Sequence, residues 1–280
     1  MEGYDVYQDI SERTEGCIYI GVVGPVRTGK STFIKRFMDL LVLPNMDNEF
    51  KRERTRDELP QSANGKTIMT TEPKFVPNEP IELTLRENAK FKVRLVDCVG
   101  YLVEGAMGHL EDNSPRMVNT PWFEDRIPFE EAAEIGTRKV IADHSTIGLV
   151  VTTDGSITDL PRRSYIEAEE RVIKELKELE KPFIVALNSA RPKAQETIEL
   201  REALETKYNT PVMIIDALKM EMEDLEGILG KILFEFPARE INFHIPRWMD
   251  TLELDHWLKQ GIVDSIRTNL SEVNRIRDID

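Results

Sequence analysis

The sequence holds little of what metal centres and disulfide scaffolds need: two cysteines and four histidines in 280 residues. Cys17 and Cys98 both fall in apolar runs and read as small buried hydrophobes of a reducing compartment rather than as a disulfide. His109, His144, His244 and His256 lack the spacing of a zinc site. Positive charge is also scarce, with 37 Lys and Arg against 51 Asp and Glu and a net charge of -14. That balance excludes general nucleic-acid binding, which needs a basic surface. Lys51, Arg52, Arg54 and Arg56 cluster, but Glu49, Glu53, Asp57 and Glu58 lie among them, so the segment reads as a solvated mixed-charge stretch. No run approaches the roughly 18 apolar residues of a membrane span. The polar, acidic residues 1–13 have no signal-peptide core. No G-x-S-x-G is present, and neither an internal repeat nor a low-complexity segment is evident.

What remains is the composition of a soluble globular protein, 40% hydrophobic and 31% charged. Apolar runs at 17–23, 81–85, 91–96, 146–152, 182–187 and 211–215 read as strands. Helical patterns fill 31–42, 128–143, 164–180, 195–208 and 223–236, with Ser164 and Glu167 at capping-box spacing. Residues 45–80 and 97–119 read as irregular. Strands alternating with helices predict an α/β fold, a mostly parallel sheet with helices on both faces. Pro237 and Pro246 interrupt the alternation, so 1–236 is expected to be one nucleotide-binding domain and 237–280 a helical extension. Trp248, Leu252, Leu258, Ile262, Ile266, Leu270, Val273 and Ile276 give that extension one apolar face. It either packs back on the domain or connects to a further region, and no helix-stop signal precedes Asp280.

Gly24-Pro25-Val26-Arg27-Thr28-Gly29-Lys30-Ser31 matches G-x-x-x-x-G-K-[ST] at every fixed position, followed by Thr32. An apolar strand precedes it and an amphipathic helix follows. Glycines let the backbone curl so that successive N–H groups converge on phosphates, and the helix N-terminus adds its positive dipole. Lys30 should span the β- and γ-phosphates, and the Ser31 hydroxyl should ligate Mg²⁺. A strand then ends in Asp97-Cys98-Val99-Gly100, where Asp97 can hold a Mg²⁺-bound water and the Gly100 N–H can reach the γ-phosphate. Between the two motifs, Thr70 and Thr71 are candidates to complete the metal shell and to position water, with Thr71 favoured on the metal.

This order of parts resembles the translation-factor-related class of P-loop GTPases. That class carries Asn-Lys-x-Asp after a late strand, its aspartate reading the N1 and N2 donors of guanine. Here the strand runs into Asn188-Ser189-Ala190-Arg191, and an arginine has no acceptor for those donors. Guanine selectivity is therefore expected to be lost, and ATP is the expected substrate. After the last strand comes Asp216-Ala217-Leu218, where Ala217 matches the class's base-contacting turn and its neighbours do not. The glutamine that many relatives place after D-x-x-G is replaced by Tyr101, so turnover is expected to be slow or to use Thr70, Thr71 or a partner chain.

The whole chain further resembles the stage IV sporulation protein A family. The likeness rests on Asp57-Glu58-Leu59-Pro60-Gln61-Ser62-Ala63, on Thr70-Thr71-Glu72-Pro73-Lys74-Phe75-Val76-Pro77, on Asn119-Thr120-Pro121-Trp122, and on Glu131 to Val140. It implies a Mg²⁺-dependent ATPase that self-assembles into a static layer, the base of the spore coat. That layer lies in the mother-cell cytoplasm on the outer forespore membrane, and a small amphipathic membrane-bound peptide recruits it. It also implies a longer chain with a C-terminal localisation region. The competing readings are a GTPase switch acting on a partner and a nucleotide-stabilised scaffold without turnover. The aromatic pair Trp122-Phe123, in an otherwise polar segment, suggests a self-assembly contact.

Overall fold

A computed structural model describes residues 10, 12–46, 48–60, 73–85, 89–106, 110–111, 114–120, 122–238, 241, 247–253, 256–270 and 273–279. It divides into two compact units, 1–232 and 233–280. The first is built on a six-stranded sheet of β1 (Cys17–Val23), β2 (Lys74–Leu85), β3 (Ala89–Asp97), β8 (Ile147–Thr153), β9 (Phe183–Asn188) and β10 (Val212–Ile215). Their order is β10-β9-β8-β1-β3-β2, parallel throughout except that β2 runs antiparallel to β3 at the edge. Every residue of β8 and β9 is buried, as expected of parallel strands covered on both sides.

Connections leave β1 towards β3 but leave β8 towards β9 and β10. Right-handed crossovers therefore put α1 (Lys30–Phe37) on one face and α4 (Ile166–Glu178) and α5 (Gln195–Tyr208) on the other. The reversal falls between β1 and β8, and their carboxyl ends open the crevice where such sheets bind ligands. In α4, the buried Ala168, Val172, Ile173 and Leu176 form the stripe that faces the sheet. Gly148 lets this helix approach, since a Cβ there would stand 2.8 Å from Leu176 Cδ2.

Several local expectations are corrected. Residues 45–80 are not irregular throughout: α2 (Glu49–Glu58) forms there, and β2 begins at Lys74. Asn48 caps α2 by accepting from the Lys51 N–H, and Arg54 pairs with Glu58 one turn on. Its only buried residue is Thr55, so no apolar stripe announces it. The helix foreseen at 31–42 changes after Phe37 into a π-turn, Met38–Val42. The capping box at Ser164 does not form: Arg162–Tyr165 is a 3₁₀ turn, and α4 starts after Tyr165 without a side-chain cap. The segment 97–119 is not simply a loop, because β4 (Leu110–Glu111) pairs with β5 (Ser114–Pro115), and β6 (Met117–Thr120) pairs with β7 (Phe123–Pro128) ahead of α3 (Phe129–Asp143).

That β6–β7 hairpin splits the aromatic pair. Trp122 Cη2 lies 3.3 Å from where Gly136 of α3 would carry a Cβ, and Lys139 sits 5.8 Å from a Trp122 ring centroid. Trp122 is thus a packing residue against α3, while Phe123 is 46% exposed. After α6 (Met222–Phe234), the second unit holds Glu235, fully buried and paired with Arg275 and Arg277, and the helix α7 (Trp257–Leu270), in which no residue is buried. Among the described residues no helix is long and apolar enough to cross a membrane.

Candidate functional site

The turn between β1 and α1 is held by contacts that require glycine. Gly24 has φ 137°, and a Cβ on it would stand 2.3 Å from the Val151 carbonyl oxygen. Gly29, with φ 92°, would push a Cβ to 2.3 Å from Asn188 Nδ2. Only glycine fits such positions. Within the loop, the Thr28 hydroxyl donates to the Pro25 carbonyl at 3.0 Å, and the Val26 N–H donates to the Tyr101 carbonyl at 2.9 Å. Gly100 crosses so close to the loop that a Cβ would meet the Gly24 oxygen at 2.2 Å and Lys30 Nζ at 2.6 Å.

Lys30 turns into the hollow of its own loop. Its ammonium donates to the Pro25 carbonyl at 2.6 Å and the Gly24 carbonyl at 3.3 Å, and the residue is 5% exposed. Burial pushes its pKa down, and the Asp97 carboxylate acts in the opposite direction. One residue on, the Ser31 hydroxyl donates to Asp97 Oδ2 at 2.7 Å. Asp97 is 4% exposed, and its other oxygen, Oδ1, is buried without a hydrogen-bond partner. Burial raises the Asp97 pKa against the Ser31 hydrogen bond and the Lys30 charge. A half-buried hydroxyl and a buried carboxylate with an unused oxygen are hard donors of the kind Mg²⁺ takes alongside phosphate and water, so the residues fit that ion. Thr32 lies half-buried in the first turn of α1. Thr70 and Thr71 lie outside the described residues.

Tyr101, in the place of the class's glutamine, points away from the loop. It is 2% exposed, donates its hydroxyl to Glu175 Oε2 at 2.6 Å, and lies under the Arg171 guanidinium at 4.5 Å. Burial and the neighbouring Glu175 raise its pKa, so it stays a protonated donor.

Asn188 ties the two ends of the site together. Its Nδ2 donates to the Thr28 carbonyl at 3.0 Å, and its Oδ1 accepts the Ala217 N–H at 3.1 Å. Ser189 is fully buried and donates to Asp154 Oδ2 at 2.6 Å while accepting the Arg191 N–H at 2.9 Å. Asp154 was not singled out in the sequence, although Asp154-Gly155-Ser156 directly follows an apolar strand. Its Oδ1 accepts from the Ser156 N–H and hydroxyl at 2.9 and 2.6 Å, and its Oδ2 also accepts from Thr197 at 3.2 Å. The Ser156 hydroxyl in turn accepts the Ala190 N–H at 2.8 Å. Both carboxylate oxygens are thus occupied, Oδ1 within its own turn and Oδ2 by Ser189 and Thr197. The Arg191 side chain is exposed.

Direct contacts therefore join Gly24, Pro25, Val26, Thr28, Gly29, Lys30, Ser31, Asp97, Gly100, Asn188 and Ala217 into one constellation. Ser189 serves the turn beside it rather than facing outward. A cavity of about 380 Å³ between α2 and β2, lined by Met46, Asn48, Thr55 and Ile81, lies apart from these residues.

Residues 1–237 match the family model described as the ATPase domain of stage IV sporulation protein A, and residues 238–280 match that of its middle domain. The stage IV sporulation protein A of Clostridioides difficile (strain 630) is 56% identical over 99% of the chain and 56% of its own length. That of Bacillus subtilis (strain 168) is 55% identical over the full chain and 57% of its own length. The chain thus spans just over half the length of these curated relatives. Among solved structures, a mutation variant of SsGBP superposes with a TM-score of 0.42 at 18% identity, over 80% of this chain and 56% of that one.

Proposed function

The chain belongs to the stage IV sporulation protein A family, and from that premise we propose that it hydrolyses ATP with Mg²⁺ at the Gly24–Ser31 loop, coupling turnover to self-assembly. The observation that carries this reading is the Ser31–Asp97 hydrogen bond, with Asp97 Oδ1 buried and unpartnered and the charge of the buried Lys30 ammonium felt at that carboxylate. The loop N–H groups and the α1 N-terminus cradle the β- and γ-phosphates. Lys30 exchanges its two carbonyl partners for phosphate oxygens, a gain because an ammonium pairs more strongly with an anion than with a neutral carbonyl. Ser31 and Asp97 are the residues that would hold Mg²⁺, which when bound offsets charge on the phosphates. Gly100 packs against the loop, and its N–H is assigned to the γ-phosphate. Thr70 and Thr71 are assigned to the metal and to the attacking water, because the Tyr101 side chain is committed to Glu175.

ATP is favoured over GTP on the same physical ground. Guanine's N1 and N2 donors call for a carboxylate with an unused acceptor. Asp154 has both oxygens occupied, by Ser156, Ser189 and Thr197, and the Arg191 side chain offers only donors.

The assembly reading comes from the family. The chain is assigned to a homopolymeric layer at the base of the spore coat. The layer lies peripherally on the outer forespore membrane in the mother-cell cytoplasm, recruited there by a small amphipathic membrane-bound peptide. Residues 1–236 are the ATPase domain in this reading and 237–280 the connector to the remainder of the family's length. Phosphate release from ATP and from GTP, each with and without Mg²⁺, tests the chemistry. Wild type should turn over ATP only with Mg²⁺, and Lys30→Ala should lose at least about tenfold in nucleotide affinity, the worth of a charge-assisted hydrogen bond. Equal turnover of GTP, or turnover in Lys30→Ala at the wild-type rate, would overturn the reading.

A further inference from the structure

Arg27 is the one residue of the phosphate loop whose type is at odds with its backbone. Its φ is 62°, in the left-handed region that a Cβ disfavours and glycine enters freely. The loop gives it no room to relax. The Val26 N–H on one side is bound to the Tyr101 carbonyl, and Thr28 on the other is held through its hydroxyl to Pro25 and through its carbonyl to Asn188. Residues kept in such a conformation by their surroundings are concentrated at functional sites.

The side chain is also unspent. Arg27 is half-buried as a residue, and its guanidinium makes no hydrogen bond or ion pair with another described residue, although acidic residues outnumber basic ones 51 to 37 in this chain. Its charge is felt by the Tyr165 phenol, whose hydroxyl is already bonded to Thr158 at 2.7 Å. The other groups around the loop have fixed duties. Lys30 is inside the loop, Tyr101 is turned towards Glu175, and Arg162 is bound to Glu169.

We propose that Arg27 is a built-in arginine finger, a catalytic residue that contacts the phosphoryl group as it is transferred. In that step the water oxygen bonds to the γ-phosphorus. The bond from γ-phosphorus to the bridging oxygen breaks, with its electron pair left on ADP, and the proton lost by water leaves on the released phosphate. Negative charge grows on the bridging oxygen as the bond breaks. A guanidinium standing there stabilises the transition state more than the ground state, which is what raises turnover rather than affinity. The assignment deepens the ATPase reading and rests on it.

The test uses the full chain with Mg²⁺ and three measurements on wild type, Arg27→Gly and Arg27→Lys: single-turnover phosphate release, affinity for a non-hydrolysable ATP analogue, and affinity for ADP with aluminium fluoride. Arg27→Gly should lose turnover by about 10³-fold, the worth of an arginine finger. It should keep analogue affinity within about twofold and lose the aluminium fluoride complex, because only the latter mimics the group in transfer. Its melting temperature should equal or exceed that of wild type, since glycine adopts φ 62° without strain. Arg27→Lys keeps the charge without the forked donors and should still fall at least about tenfold. Arg27→Gly turnover within about threefold of wild type would overturn the assignment alone, as would analogue affinity and turnover falling by the same factor. A wild type that releases no phosphate would overturn the ATPase reading and this assignment together.

Discussion

The Ser31 hydroxyl and the Asp97 carboxylate, 66 residues apart in the chain, meet at 2.7 Å and join the first turn of α1 to the end of β3. Asp97 reaches this position by forgoing water, and one of its oxygens is left with no hydrogen-bond partner. A buried carboxylate of this kind costs stability unless a ligand uses it.

Asp97→Asn should therefore melt no lower than wild type when nucleotide is absent, because it removes a buried charge while keeping an acceptor for Ser31. With Mg²⁺ and ATP at about 100 times Kd, wild type should gain about 2.7 kcal/mol and the variant almost none. Melting curves with and without ligand decide it; an equal shift in both proteins would show that Asp97 does not serve the metal.

Tyr101→Phe removes the donor to Glu175 without touching the backbone carbonyl that accepts from Val26. The expected loss is about 1 kcal/mol of folding stability, with turnover unchanged. A fall in phosphate release without a fall in the urea midpoint would place the phenol in the chemistry after all.

Asp154→Asn weakens the turn that carries Ser189 and Arg191, at a cost of about 2 kcal/mol for hydrogen bonds to a charged acceptor. Burial raises the Asp154 pKa, but the hydrogen bonds from Ser156, Ser189 and Thr197 outweigh it and hold the carboxyl below its ordinary value. A group depressed in the folded state stabilises above its unfolded pKa of about 3.9, and that stability is lost as pH falls through the folded value. Wild type should thus lose stability more steeply than Asp154→Asn below about pH 4. Parallel urea midpoints for the two proteins from pH 7 to pH 3 would refute this.

Thr70→Ala combined with Thr71→Ala should leave ATP affinity within about twofold of wild type while slowing phosphate release by about 10²-fold, as expected when water is no longer oriented. Intact turnover in the double variant would move the water-positioning role elsewhere in the chain.

Regular elements were legible where burial left a periodic trace. Strand β1 and helix α5 form over the residues their patterns indicated, because an apolar run or a helical stripe shows which face meets the core. Helix α2 left no such trace: it buries only Thr55 and is held by the Asn48 cap and the Arg54–Glu58 pair, which in sequence look like a solvated segment. The β6–β7 hairpin was missed for a related reason, since its strands are short and β7 has no fully buried residue. Trp122 looked like an outward contact because nothing in its own neighbourhood reveals Gly136 on α3.

Residues 24–31 by themselves determined that a tight glycine-dependent turn would form between a strand and a helix, since glycine spacing, the lysine and the serine act within one local segment. The missing guanine-reading aspartate could be seen the same way, as a residue type at a fixed distance from Asn188. Only the tertiary structure decided which side chains are engaged there. Asp154 holding Ser189, Tyr101 held by Glu175 and Arg27 left unpaired in a left-handed backbone all depend on strands and helices distant in the chain. Hydrogen bonds and burial across such separations are set by packing, and no local spacing encodes them.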